Sequence, residues 1–204
     1  MQFKIETLGV YGQVASIVAS GNPFRTELEV KPNGLLDYSS DKFIKDLERA
    51  KKLASCKTGE GHDNFLRGIL VELNVTAPLY WWKQAQRYTW FNFISSQSTM
   101  HCLLKFNIKD QCVEETDTRV IEVLENLVKE YNELPKDNPD KKIKWRTIVA
   151  SLPCGFCLGA TMTTNYQQLK TMYFQRKNHK LSEWHTFCEW CESLPYFKTL
   201  ILGE

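Results

Sequence analysis

Ile69-Leu-Val-Glu-Leu-Asn-Val-Thr-Ala-Pro-Leu-Tyr-Trp-Trp-Lys-Gln-Ala-Gln-Arg87 changes its period halfway along. Ile69, Val71, Leu73 and Val75 recur at every second position, the pattern of a strand that presents alternate side chains to one side. Pro78 then stands where its missing amide hydrogen costs nothing, at the start of a helix, and Leu79, Tyr80, Trp82 and Lys83 wind on towards Arg87. Just upstream, Gly59-Glu-Gly-His-Asp-Asn is a polar turn leading into the strand, and loops so placed carry function, which makes His62 a candidate. Further back, Phe43, Leu47, Ala50 and Leu53 share one helical face from Ser39 to about Cys56, with serine and aspartate available as caps. The opening Met1 to Glu6 alternates as a first strand and is not the start of a secretion signal.

Downstream of Arg87 neither period holds between Tyr88 and Thr99. Val120, Val123, Leu124, Leu127, Val128 and Tyr131 predict a helix from Thr116 to Leu134, closed by Pro135. Lys136 to Lys144 reads as a charged loop, followed by a short helix through Trp145, Ile148, Val149 and Leu152 that Pro153 stops. Phe156 to Thr164 reads as extended. A helix from Tyr166 to Lys177 should bury Leu169, Met172 and Tyr173, and another from Ser182 to Ser193 should bury Trp184, Phe187, Cys188 and Cys191. A few strands among longer helices, in no regular alternation, predict an α+β fold and not a doubly wound sheet. No internal repeat or low-complexity segment interrupts it, and a chain of 204 residues is long enough for one core, so a single domain over residues 1–204 is expected.

A formal charge of +2 is too mild to announce a nucleic-acid binder. Seven cysteines, an odd number, fit a reducing compartment, so a soluble cytoplasmic protein without membrane spans is expected. Two Cys-x-x-Cys spacings, Cys154 with Cys157 and Cys188 with Cys191, could supply four thiolates to a tetrahedral zinc. The alternative is that they are core residues, since one pair opens an apolar strand and the other lies on a buried helical stripe. No zinc-protease spacing, nucleophile elbow, phosphate-binding glycine loop or dinucleotide fingerprint occurs. Trp81 to His101 mixes aromatic, hydroxyl and amide side chains, a combination that either packs as core or holds a planar polar ligand.

Thr76-Ala-Pro-Leu-Tyr-Trp-Trp-Lys-Gln-Ala-Gln-Arg87 resembles the segment of flavin-dependent thymidylate synthases that leads into their signature R-H-R-x-x-S-x-N-E-x-S-x-R. The likeness resumes with Leu152-Pro153, a strand ending at Asn165, a helix carrying Leu169 and Arg176, then Asn178-His179 and Trp184, with matching spacing from Leu152 to Arg176. His62 falls on the family's histidine ahead of the central strand. The nearest forms in tone are divergent ones from bacteriophages and Gram-positive bacteria. The resemblance implies a small, mostly antiparallel sheet with long helices, and a homotetramer with active sites between subunits. It implies methylation of a uridine nucleotide such as dUMP with FAD, NADPH and methylene tetrahydrofolate. Carried over by position, Arg176 is the catalytic and nucleotide-contacting arginine. His62, Arg87, Tyr88 and Asn165 fall to the cofactor, and Gln97, or by a slip of one Ser96 or Ser98, falls to the substrate.

The departures are equally specific. Tyr88 and Thr89 replace the signature's histidine and second arginine, Ile94 and Ser95 its asparagine and glutamate, and Thr99 its last arginine. Gly159 and Gln167 stand where the family has nucleotide-contacting arginines. A phosphate is gripped by charge-assisted, often bidentate bonds from an ionised planar fork, which threonine and glycine cannot supply. Losing one partner of a desolvated pair costs about 2–5 kcal/mol, so other cations, Lys83, Lys170, Lys177 or Lys180, would have to compensate. The rival expectation is a catalytically inactive scaffold that binds a nucleotide or a protein, as a phage anti-defence product would.

Overall fold

The computed structural model describes residues 2–28 and 41–204. Among these residues four strands, β1 (Lys4–Tyr11), β2 (Leu70–Pro78), β3 (Asn92–Ser96) and β4 (Cys157–Asn165), form a sheet of order β1-β2-β4-β3. The sheet is antiparallel. Tyr166 N donates to Ile69 O at 3.0 Å, while Leu79 N donates to Phe156 O at 3.1 Å, so β2 and β4 run in opposite directions and pair end to end. The helices are α1 (Gln13–Ala19), α2 (Asp41–Ser55), α3 (Leu79–Ala85), the short α4 (Thr99–Cys102) and α5 (Ile108–Gln111), α6 (Thr118–Glu133), α7 (Asp140–Ala150), α8 (Tyr166–Arg176) and α9 (Ser182–Ser193). A π-helical turn follows at Lys198–Leu202. The arrangement is α+β, as expected. No helix among the described residues is long and apolar enough to cross a membrane.

The described residues fall into two compact units, and each strand contributes to both. The first takes 2–4, Asn74–Arg87 and Phe93–Thr161; the second takes 5–28, 41–73, Tyr88–Asn92 and Met162–Glu204. In the first, Leu103, Ile108, Cys112, Ile121, Leu124, Ile148 and Phe156 form the core. Trp81 and Trp82 of α3 are buried there too, and Trp82 Nε1 donates to Leu158 O at 3.0 Å, which satisfies the indole as it enters an apolar setting. In the second, Tyr166, Phe197, Trp184 and Phe187 are fully buried and packed edge to face. Asp46 of α2 is buried between the guanidinium groups of Arg25 and Arg49.

Alternation in β2 is realised, with Val71, Leu73, Val75 and Ala77 buried. Helices α8 and α9 have the predicted bounds to within a residue and bury the predicted side chains. Three expectations need correction. The run after Tyr88 contains strand β3, all five residues of which are exposed; at the sheet edge it pairs only with β4, so no buried alternation marks it. The supposed loop at Lys136 to Lys144 is helical from Asp140, because Lys141 Nζ donates to Leu134 O at 2.7 Å and Lys144 pairs with Glu130 of α6. On α6 the buried stripe is centred on Ile121 and Leu124, which leaves Val120 and Val123 exposed. Ser39 and Ser40, the expected caps of α2, lie outside the described residues.

Gly12 joins β1 to α1 at φ 75°, and a Cβ there would lie 2.4 Å from Gly68 O. Backbone on both sides of the clash leaves nothing soft to yield. Gly12→Ala should therefore cost about 1–3 kcal/mol, read as a lowered urea midpoint with an unchanged slope.

Candidate functional site

Asn165 ends β4 and caps α8, its Oδ1 accepting Gln168 N at 2.9 Å in place of the missing turn. The cap fixes where α8 begins, and so fixes the height of Gln167 and Lys170. Lys170 is 6% exposed and Asp63 is 0% exposed. The ammonium donates to Asp63 Oδ2 at 2.8 Å, Ala54 O at 2.8 Å and Cys56 O at 2.6 Å, which accounts for its three hydrogens. Asp63 Oδ1 accepts from Gln167 Nε2 at 2.8 Å, and Gln167 Oε1 accepts from Arg67 Nε at 2.6 Å. A chain of polar contacts thus leads from a buried ion pair out to an exposed guanidinium. Lys170 is consequently spent on structure and cannot serve as a replacement grip for a phosphate.

Arg67 is also on the wall of a cleft of about 330 Å³, with Leu70, Trp90, Asn92, Thr163, Thr164 and Asn165. The Trp90 side chain is 59% exposed, while its backbone N–H is held by Gln168 Oε1 at 3.3 Å. The Thr164 hydroxyl is buried and has no partner among the described residues. A presented indole, a cation, hydroxyls and amides on one wall suit a planar ligand that carries negative charge.

Arg176, in the last turn of α8, is stacked between two rings, with its guanidinium carbon 4.5 Å from the Trp184 ring centre and 5.4 Å from that of Tyr88. Its Nε donates to the Tyr88 hydroxyl at 2.7 Å, which in turn donates to Gln175 Oε1 at 3.0 Å. Tyr88 thereby orients Arg176. Close by, His179 accepts Leu181 N on Nδ1 at 3.1 Å and lies 6.2 Å from the Trp184 ring. Burial, then the Arg176 charge, then His185 hold its pKa below the ordinary histidine value. The unfolded chain therefore takes the proton first on acidification. Stability from neutral His179 should be complete above about pH 6.5 and decline as pH falls through the lower native value. An NMR titration should find that midpoint below 6.5, and Arg176→Ala should raise it without restoring it fully, because the burial contribution remains.

The other sequence candidates divide between side chains without a partner among the described residues and groups committed to structure. His62 is exposed in the turn before Asn64, and Arg87 is exposed just past α3; among the described residues neither side chain has a partner. Gln97 exchanges bonds with Gly159, N to O at 2.8 Å and Oε1 from N at 2.8 Å, so its amide extends the pairing of β3 with β4. Ser96 is exposed at the end of β3, and Ser98 begins α4 without capping it by its side chain. No group of three or more candidate metal ligands gathers among the described residues. Cys154 is exposed, and Cys157, Cys188 and Cys191 are buried; burial pushes Cys188 up to about 11 and Cys191 up as well.

Sequence reading missed Asp63, Arg67 and Thr164, while Trp90 lies in the Trp81 to His101 stretch that it offered for a planar ligand without being singled out. One signal was present: Lys170 interrupts the apolar stripe of α8 between Leu169 and Met172, and a lysine there requires a buried acid.

No family model matches the chain, and no curated protein matches it. Solved structures do. The chain is similar to the flavin-dependent thymidylate synthase ThyX of Helicobacter pylori complexed with FAD and dUMP, at 13% identity, covering 98% of each chain with a TM-score of 0.70. A second structure of that enzyme with FAD and dUMP matches with the same identity and score over 99% of this chain and 98% of that one. A UMP/dUMP methylase, PolB of Streptomyces cacaoi, bound with 5-Br dUMP, matches at 14% identity over 98% of this chain and 91% of that one, with a TM-score of 0.62. The fold is that of the flavin-dependent thymidylate synthases over nearly the whole chain.

Proposed function

We propose that this protein binds a uridine nucleotide such as dUMP and modifies it at the ring, most simply by methylation, as a divergent flavin-dependent thymidylate synthase. The observation that carries the reading is the fold match along nearly the full length, both to an enzyme holding FAD and dUMP and to a methylase holding a dUMP analogue. The retained Arg176, fixed between Tyr88 and Trp184, supports it, because a stacked and oriented guanidinium can hold the edge of a pyrimidine. In this account Arg176 touches the nucleotide and His62 and Arg87 approach the cofactor. Ser96, Gln97 and Ser98 lie beside the substrate, with Gln97 acting through the β3 edge that it fixes. The active protein is a homotetramer with sites between protomers, and NADPH and methylene tetrahydrofolate are its co-substrates.

The residues present fit a flavin in part. His62 and Arg87 each have no side-chain partner among the described residues, which leaves either side chain open to a phosphate oxygen, and Trp90 presents an indole face. The Tyr88 hydroxyl and Asn165 Oδ1 are already engaged by Arg176, Gln175 and Gln168, so these two would position neighbours of the group. Flavin would supply hydride transfer, and the protein's part is to align rings and exclude water. Absorbance and mass analysis of the purified protein test this directly. A yellow preparation, or uptake of added FAD, is expected; a colourless protein that takes up none counts against the enzyme.

A second reading has its own observation. Tyr88 in place of histidine draws Arg176 into a hydrogen bond and two ring contacts, as a retired catalytic arginine would be held. A scaffold that binds a nucleotide without turning it over would then bind dUMP and ignore flavin.

A further inference from the structure

We infer that Arg67 and Trp90 form the grip for a phosphorylated planar ligand in the cleft between β3, β4 and the turn before β2, with Arg67 taking the phosphate and Trp90 the ring. The inference rests on the nucleotide reading and names residues that the family resemblance does not supply. Gln167 carries no charge, but its Oε1 holds Arg67 Nε at 2.6 Å, so a guanidinium from elsewhere in the chain stands at the tip of that glutamine. Only Nε is used. The terminal amines of Arg67 have no partner among the described residues, and they are the pair that meets two oxygens of a phosphate. Gln167 is itself fixed through Asp63 and the buried Lys170, which makes the guanidinium a preorganised donor and not a loose surface side chain.

Two further observations on the same wall point to a ligand. The Thr164 hydroxyl is without a partner in a residue that is 3% exposed, a cost that a bound acceptor or donor would remove. Trp90 exposes its indole although its backbone is tied to Gln168, and an exposed ring beside a cation is a stacking platform. Leu70 adds an exposed apolar surface to the same wall.

The test is calorimetric titration of the full chain with dUMP, FMN and uridine, using wild type, Arg67→Gln, Arg67→Lys and Trp90→Leu. Arg67→Gln is expected to weaken dUMP or FMN by about tenfold or more and Arg67→Lys by less, because lysine keeps charge but loses the fork. Uridine, lacking phosphate, should be indifferent to Arg67 but weakened by Trp90→Leu. Thr164→Val serves as a second probe that keeps the fold, and it should weaken binding while leaving the unliganded melting temperature unchanged or raised. Equal affinity of wild type and Arg67→Gln for dUMP and FMN would overturn the assignment and leave the nucleotide reading intact. Failure of wild type to bind any of the three probes would overturn both.

Discussion

Lys170→Met should destabilise the protein by about 3–5 kcal/mol, measured by urea unfolding, because it leaves a buried carboxylate without its partner. Asp63 is fully buried, and Lys170 is its cation. Methionine matches the stem of lysine, so the loss comes from charge and hydrogen bonding and not from a cavity. The carbonyls of Ala54 and Cys56 lose their donor as well. An Asp63→Leu, Lys170→Met double variant should recover part of the loss, since two well-packed apolar groups do not require a counter-charge. Recovery should stay incomplete, because both carbonyls and Gln167 Nε2 remain unpaired. A loss under about 1 kcal/mol in the single variant would mean that water reaches the pair, and the buried anchor of the site would be lost from this account.

Arg176→Ala should reduce dUMP affinity by about 2–5 kcal/mol, some thirtyfold to several thousandfold, if the stacked guanidinium is the nucleotide contact. Its effect on stability should be smaller, about 1–2 kcal/mol in all, because the two ring contacts and the bond to Tyr88 are partly solvated and share one guanidinium. Arg176→Lys separates the two roles: it keeps a charge in the last turn of α8 but cannot fill the slot between Tyr88 and Trp184 with a plane. Affinity lost in both variants with stability nearly kept is the expected pattern. Stability lost with affinity kept would make Arg176 structural and favour the scaffold reading.

The sequence was most legible where burial is one-sided. β2 alternates because one side of it is covered, and α8 and α9 show their stripes because each packs one flank. β3 was illegible for the converse reason, being exposed along its whole length at an edge. The first turns of α7 were hidden by charge, since Lys141 and Lys144 are satisfied by α6 and a run of lysines reads as a loop. The site divided in the same way. Arg176 and Asn165 were proposed from the resemblance to the flavin-dependent thymidylate synthases, whose motif falls within one strand–helix segment. Arg67 and Asp63 were not, because their partners Gln167 and Lys170 lie 100 and 107 residues away, a distance over which periodicity carries no information. The lost arginine at Gln167 looked like a missing charge, whereas folding brings Arg67 to it from the turn before β2.

Thermal denaturation across a dUMP concentration series tests the central claim most directly, since a ligand specific to the native state stabilises it by RT ln(1 + [L]/Kd), about 2.7 kcal/mol at a hundredfold excess over Kd. The account predicts a melting temperature that climbs with the logarithm of dUMP concentration and climbs further when FAD is present. A melting temperature that stays flat for dUMP up to millimolar concentration, with and without FAD, would contradict it.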